Sequence, residues 1–297
     1  SFLAGLLNAQ PLGFYSPSQL VQDARRHGVN VHPPDVMASL WDCTLEDRPG
    51  AEEARLKKLR PDQPAVRLGL RLIAGLSRHV ADRIVQARQE ALFINVDDLA
   101  RRASLDQSDM RALAAGDALM SLSGHRRQQV WEASALHRTP SLLRDAPVDE
   151  AWLDLPHAPE GEEIVFDYAS LGLTLRSHPL ALLRPKLREQ RLSSARDLRD
   201  LPNGRLAKAC GIVTVRQQPG TASGVTFVTL EDETGTVNVV VWTHVRDRHR
   251  QALLHARLLA VYGVWQREGE VRHLIAHYLH DMTPLLGRLA TTSRDFH

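Results

Sequence analysis

The chain has two cysteines, almost no net charge, and no apolar run near membrane-spanning length. Each shortage closes off a class of protein. Cys43 and Cys210 stand far apart, with neither metal-ligand spacing nor a disulfide framework. That usage fits a reducing compartment, so a cytoplasmic protein is expected. Crossing a bilayer takes about 20 consecutive apolar residues, and the apolar opening SFLAGLLNAQPLGF lacks the basic flank and cleavage site of a secretory leader. The 37 Lys and Arg against 35 Asp and Glu leave a formal charge of +2. Net charge therefore identifies no partner, and any basic surface has to come from local clustering. What the chain does have is length: 297 residues, 43% of them hydrophobic, suffice for two or three buried cores. It opens on Ser rather than Met, and a fragment of something longer is expected.

Prolines divide the first third. FLAGLLNA carries Phe2, Leu3, Leu6 and Leu7 at helical spacing; a second helix follows Ser16 or Ser18 as N-cap and stops at Gly28. Extended pieces are expected at Val29 to Val31 and around Trp41 to Leu45, then a charged loop over 46–64. Residues 66–136 read as helical. Leu68, Leu72 and Ile73 share one helix face and Val80, Ala81, Ile84 and Val85 the next, with a tight turn between them. In that turn Gly75 permits positive φ and Ser77 can cap the following helix. Exposed N–H donors and a helix dipole then converge where a phosphate can sit, with Arg71, Arg78 and Arg83 close in sequence. Plain helix packing accounts for such a hairpin as well.

Residues 137–160 read as a linker, followed by helices through Ile164, Tyr168 and Leu171 and after Pro179. Basic residues then crowd between Arg184 and Lys208. Beyond them, strands at 207–218, 224–232 and 235–242, a helix at 244–255, and strands at 257–268 and 271–282 follow the order of a five-stranded OB-fold barrel. The expected class is thus α+β and multidomain. Phe227, Trp242 and Trp265 offer rings for stacking bases and Arg216, Arg267 and Arg272 offer charge for phosphates. Alternation alone leaves open which face of Phe227's strand is outside.

Metal chemistry finds no support. Glu231, Asp232 and Glu233 fall in a hairpin turn, where acidic residues are ordinary. His273 and His277, on one face of an extended strand, stand about 13 Å apart, too far to share a zinc ion with His280.

The stretches SFLAGLLNAQPLGFYSPSQLVQDARRHGV, WDCTLE, RLGLRLIAGL, LGLTLRSHPL, GIVTVRQQPGTASGVTFVTLEDETGTVNVVVW and SRDFH resemble the C-terminal part of bacterial C-family DNA polymerases. The likeness leans to the error-prone, damage-tolerant, ImuC-type branch and covers nearly the whole chain. It implies that residues 1–35 end the fingers domain and 36–136 form a duplex-contacting region whose hairpin is Gly75, Leu76 and Ser77. It further implies an OB domain over 205–282 near the template strand. Residues 137–204 read as a linker and connecting helices, and the tail over 283–297 reads either as disordered or as a docking peptide with Arg294 and Phe296. Ser77 stands where the family commonly has Gly. The resemblance places the catalytic domain and its Mg2+ outside this chain, which itself needs no cofactor. It implies DNA, ImuB and a RecA-like accessory protein as partners. PSLLRDA is at best a remnant of the clamp-binding peptide of replicative relatives, so a sliding clamp would be reached through a partner. Two other readings are a protein-docking module that touches no DNA and an OB module binding a tRNA anticodon.

Overall fold

In the computed structural model of the chain, the described residues are 2–12, 15–46, 64–135, 155–219 and 224–287, with the backbone of 294–296. Most of the expected loop over 46–64 and linker over 137–160 lies outside them, as does the PSLLRDA segment. The chain forms two compact units, Ser1–Leu175 and Arg176–His297.

The first unit begins with helices α1 (Phe2–Asn8) and α2 (Pro17–Arg26). Ser16 caps α2 in a reciprocal capping box with Gln19. Short strands β1 (Val31–His32) and β2 (Thr44–Glu46) flank β3 (Ala65–Arg67), β1 running parallel to it and β2 antiparallel. The helix expected from residue 66 is therefore a strand followed by a single 3-10 turn, Leu70–Leu72. Its leucines do face the core, but Val66, Leu68 and Leu70 are buried at a period of two. Tertiary pairing decides the matter: Val66 and Leu68 donate N–H bonds to Asn30 and His32, and Leu70 and Arg71 to Leu40 and Trp41. Gly69 makes this approach possible, since a Cβ there would lie 2.3 Å from the Trp41 carbonyl oxygen.

Helices α3 (Arg78–Glu90), α4 (Val96–Arg102), α5 (Gln107–Ala115), α6 (Met120–Ser123), α7 (Arg126–Ala135) and α8 (Glu160–Leu171) complete this unit. Val80, Ala81 and Ile84 of α3 join Leu68, Leu99, Leu113 and Leu119 in one core. Full burial of a leucine is worth about 1.5–3 kcal/mol, so these positions hold the hairpins in place. Arg126 enters the same region buried, donating to Asp167 and to both the side chain and the carbonyl of Glu163.

The second unit opens with α9 (Pro179–Glu189) and α10 (Ala195–Arg199) and then closes into a barrel. Its strands are β4 (Arg205–Gln217), β5 (Thr226–Asp232), β6 (Gly235–Val241), β7 (Leu258–Glu268) and β8 (Val271–Asp281). Helices α11 (Thr243–Arg248) and α12 (Arg250–His255) stand between β6 and β7. The sheet runs β5-β6-β8-β7-β4 and closes through β4 and β5, with only β6 and β8 parallel within the ring. That is the OB-fold. The long β4 makes closure possible: residues 205–212 pair with β7 and 212–217 with β5. A ninth strand, β9 (Arg294–Phe296), runs parallel to Val215–Gln217. The two helical segments replace the one helix expected over 244–255.

Candidate nucleic-acid interface

In the first unit the exposed feature is the turn into α3. Gly75 has φ +82, and nothing lies within 4 Å of where its Cβ would be. The turn is held from behind, Ala74 donating to the Ser170 carbonyl at 2.8 Å and Leu76 packing in the core. Ser77 caps the helix, its Oγ accepting from the Val80 N–H. The N–H groups of Arg78 and His79 begin the helix and have no intrahelical carbonyl to meet. Both residues are exposed. Arg78 has a loose pair with Asp82, 3.9 Å away and itself exposed. The positive end of a 13-residue helix, an open glycine elbow and a solvent-facing guanidinium thus meet on one surface.

Arg71 and Arg83 do not join them. Arg71 donates to the Asn8 carbonyl and pairs with Asp42 at 2.8 Å, while Arg83 donates to the Ser104 carbonyl and reaches Asp109. Both guanidiniums are ties between elements rather than free phosphate contacts. The second turn of the region, between α4 and α5, is the poorer anion site: Asp106 caps α5 and Asp109 completes its capping box. A fixed carboxylate at a helix start repels the phosphate that the dipole would attract.

In the barrel, alternation sorts the expected residues. Arg216 is only 6% exposed. The bulge between Val213 and Val215 shifts the register, so Arg216 pairs with the inward-facing Val228 and donates to the Leu253 and Ala256 carbonyls. It closes the end of α12 instead of reaching for phosphate. Trp265, at 3%, lies in the core beside Leu274. Neither side chain lies on the barrel surface. Phe227 and Trp242 are 38% and 48% exposed, Phe227 facing outward on β5 opposite Val240, with Thr229 and Asn238 forming the next outward pair. Arg267 is exposed and Arg272 half-buried, directly paired across β7 and β8. Arg294 and Phe296 contribute their backbone to β9; their side chains lie outside the described set.

The acidic residues of the β5–β6 turn are structural. Asp232 accepts from the N–H groups of Thr234, Gly235 and Ala195, and Arg184 of α9 pairs with Asp232 at 3.2 Å and Glu233 at 2.5 Å. Burial works against the charged Glu233, but its bonds with Arg184 win and hold the carboxyl below its usual range. Arg184, expected in a basic surface run, is thus buried with its acids. His273 and His277 both lie outward on β8, with the buried Leu274 and Ala276 between them, and His277 falls in a bulge opposite Tyr262 and Gly263. Among the described residues no group of three or more His, Cys, Asp or Glu is placed to hold a metal ion.

On the barrel, sequence reasoning left out an exposed tyrosine. Tyr278 is 49% exposed, and its ring meets those of Tyr262 and His249 edge-on. Tyrosines at outward strand positions were the available signal.

The described residues thus form helical hairpins followed by an OB barrel, and the family comparisons match the same two parts. Residues 28–129 match a helix-hairpin-helix motif and residues 207–281 an OB-fold nucleic acid binding domain. The relatives are more particular: over 300 residues the chain is 55% identical to an error-prone DNA polymerase of Ralstonia pickettii (strain 12J), covering 100% of this chain and 28% of that protein. Proteins of the same name from Burkholderia pseudomallei (strain K96243) and Azoarcus sp. (strain BH72) are 55% and 52% identical, again over 100% of this chain and 27% of theirs. The chain is therefore homologous along its whole length to error-prone DNA polymerases, and spans little more than a quarter of each. Among solved structures, an asparaginyl-tRNA synthetase from Pyrococcus horikoshii is similar over 31% of this chain and 22% of its own, at 17% identity and a TM-score of 0.27.

Proposed function

We propose that this chain is the DNA-holding C-terminal region of an error-prone DNA polymerase that acts in translesion synthesis and repair in the cytoplasm. The observation that carries the reading is the open Gly75 elbow with Arg78 at the start of α3, in a chain matched from end to end by error-prone polymerases. Residues 1–35 end the fingers, 36–136 grip the duplex through the hairpin, 137–204 connect, 205–282 meet the template strand, and 283–297 dock partners. Backbone N–H groups and cations position a phosphate backbone without reading its sequence, which suits a polymerase that must accept any template. Nucleotidyl transfer with Mg2+ is assigned to residues outside this chain; two-metal chemistry needs carboxylates free to hold ions, and the neighbouring acids Asp232 and Glu233 are instead held by Arg184. ImuB and a RecA-like protein are the proposed partners, with any sliding clamp reached through them.

Fluorescence anisotropy on labelled primer-template, single-stranded DNA and tRNA tests this directly. Primer-template should bind best; preference for tRNA, or binding to none of them, overturns the proposal. In primer extension with Mg2+ and all four dNTPs the chain alone should add no nucleotide.

A further inference from the structure

Lys208, Tyr262 and Tyr278 are direct register neighbours on β4, β7 and β8. Directly paired residues share a face of the sheet. Their alternates Ala207, Val261 and Leu279 fill the barrel core, so this row lies on the outer surface. The geometry along it is tight: Lys208 Nζ stands 5.0 Å over the Tyr262 ring, Tyr262 meets Tyr278 at 5.7 Å and 74°, and Tyr278 meets His249 at 4.6 Å and 75°. Tyr278 is thus held edge-on from two sides, yet about half of it remains open to solvent. Burial, and then the charge of Arg248, hold the His249 imidazole below its ordinary value of 6.5. Arg248, itself exposed, stands near the ring. A path also leads here from Phe227: its neighbour Val240 pairs with Ile275 on β8, the strand that carries Tyr278.

A rigid aromatic ring with cations at both ends of its row is what an unpaired base and its flanking phosphates require. A duplex keeps its bases stacked on one another and offers no face to such a ring. The geometry points to Tyr278, braced by Tyr262 and His249, as a stacking site for a base of single-stranded nucleic acid, with Lys208 and Arg248 taking the adjoining phosphates. This site rests on the nucleic-acid reading above and gives the barrel a single-strand surface separate from the hairpin.

The test titrates the full chain into fluorescein-labelled oligo(dT) of about twelve nucleotides, within the site size of one OB fold, and into a duplex of equal length. Tyr278→Ala should weaken oligo(dT) binding about five-fold or more, the lower end for one stacked base, and leave duplex binding unchanged in protein kept folded well below its Tm. Tyr278→Phe should bind as wild type, because stacking needs the ring and not the hydroxyl. Lys208→Ala should reduce the salt slope for oligo(dT) by about 1. Unchanged oligo(dT) affinity in Tyr278→Ala overturns this site alone, and so does equal loss of oligo(dT) and duplex binding. Failure of the wild-type chain to bind either DNA overturns the nucleic-acid reading with it.

Discussion

Replacing Arg184 with Ala removes the cation that joins α9 to the β5–β6 turn. Arg184, Asp232 and Glu233 have side-chain exposures of 7%, 3% and 17%, so the carboxylates cannot recover their hydration when the guanidinium goes. Breaking a buried pair from one side costs about 3–5 kcal/mol. Asp232 keeps its bonds to Thr234, Gly235 and Ala195, which puts the expected loss near 3 kcal/mol. Against a whole-domain stability of about 5–15 kcal/mol that is a severe change, on the order of 10–20 °C in Tm. Urea unfolding, with hydrogen exchange followed on peptides covering 226–241, should show the barrel destabilised. The effect should depend on pH. Glu233 sits below its ordinary value of 4.5 when folded, so its contribution is full above that pH and fades as pH falls through the folded value. Wild type and Arg184→Ala should therefore converge below about pH 4.5. A loss under about 1 kcal/mol, the size of an exposed pair, or a gap that ignores pH, would refute the argument.

Other consequences follow from buried groups. Arg216→Ala should destabilise the barrel by about 1–3 kcal/mol, the cost of stranding buried acceptors, and leave the salt slope of DNA binding unchanged in anisotropy titrations. Gly75→Ala should cost about 1–2 kcal/mol from its positive φ and weaken duplex binding, read by unfolding and anisotropy together. Burial pushes the Cys210 thiol up to about 12 and raises that of Cys43 as well. Neither should alkylate with iodoacetamide at pH 8 until urea unfolds the chain, as mass spectrometry would show.

The barrel was legible because its strands alternate: Val228, Leu230, Val237 and Val239 face inward between polar neighbours such as Thr229 and Asn238. The Gly75–Ser77 turn was legible because a glycine with positive φ and a serine cap are local features. What could not be read was set by tertiary structure. A bulge between Val213 and Val215 turned Arg216 inward, and the same two-residue period that buries Val261 carried Trp265 into the core past Gly263. Pairing with β1 and β2 overrode the helical spacing of Leu68 and Leu72. Arg71, Arg83 and Arg184 looked like free charge in sequence because their carbonyl and carboxylate partners are distant along the chain.

The central claim is that this chain holds a polynucleotide through the hairpin at the start of α3. Its most direct measurement is the duplex DNA affinity of wild type and Arg78→Glu across a salt series. Binding that weakens steeply with salt in wild type, as released counterions require, and is lowered with a shallower slope in Arg78→Glu, is the predicted result. An affinity that stays flat with salt, or that Arg78→Glu leaves untouched, would contradict it.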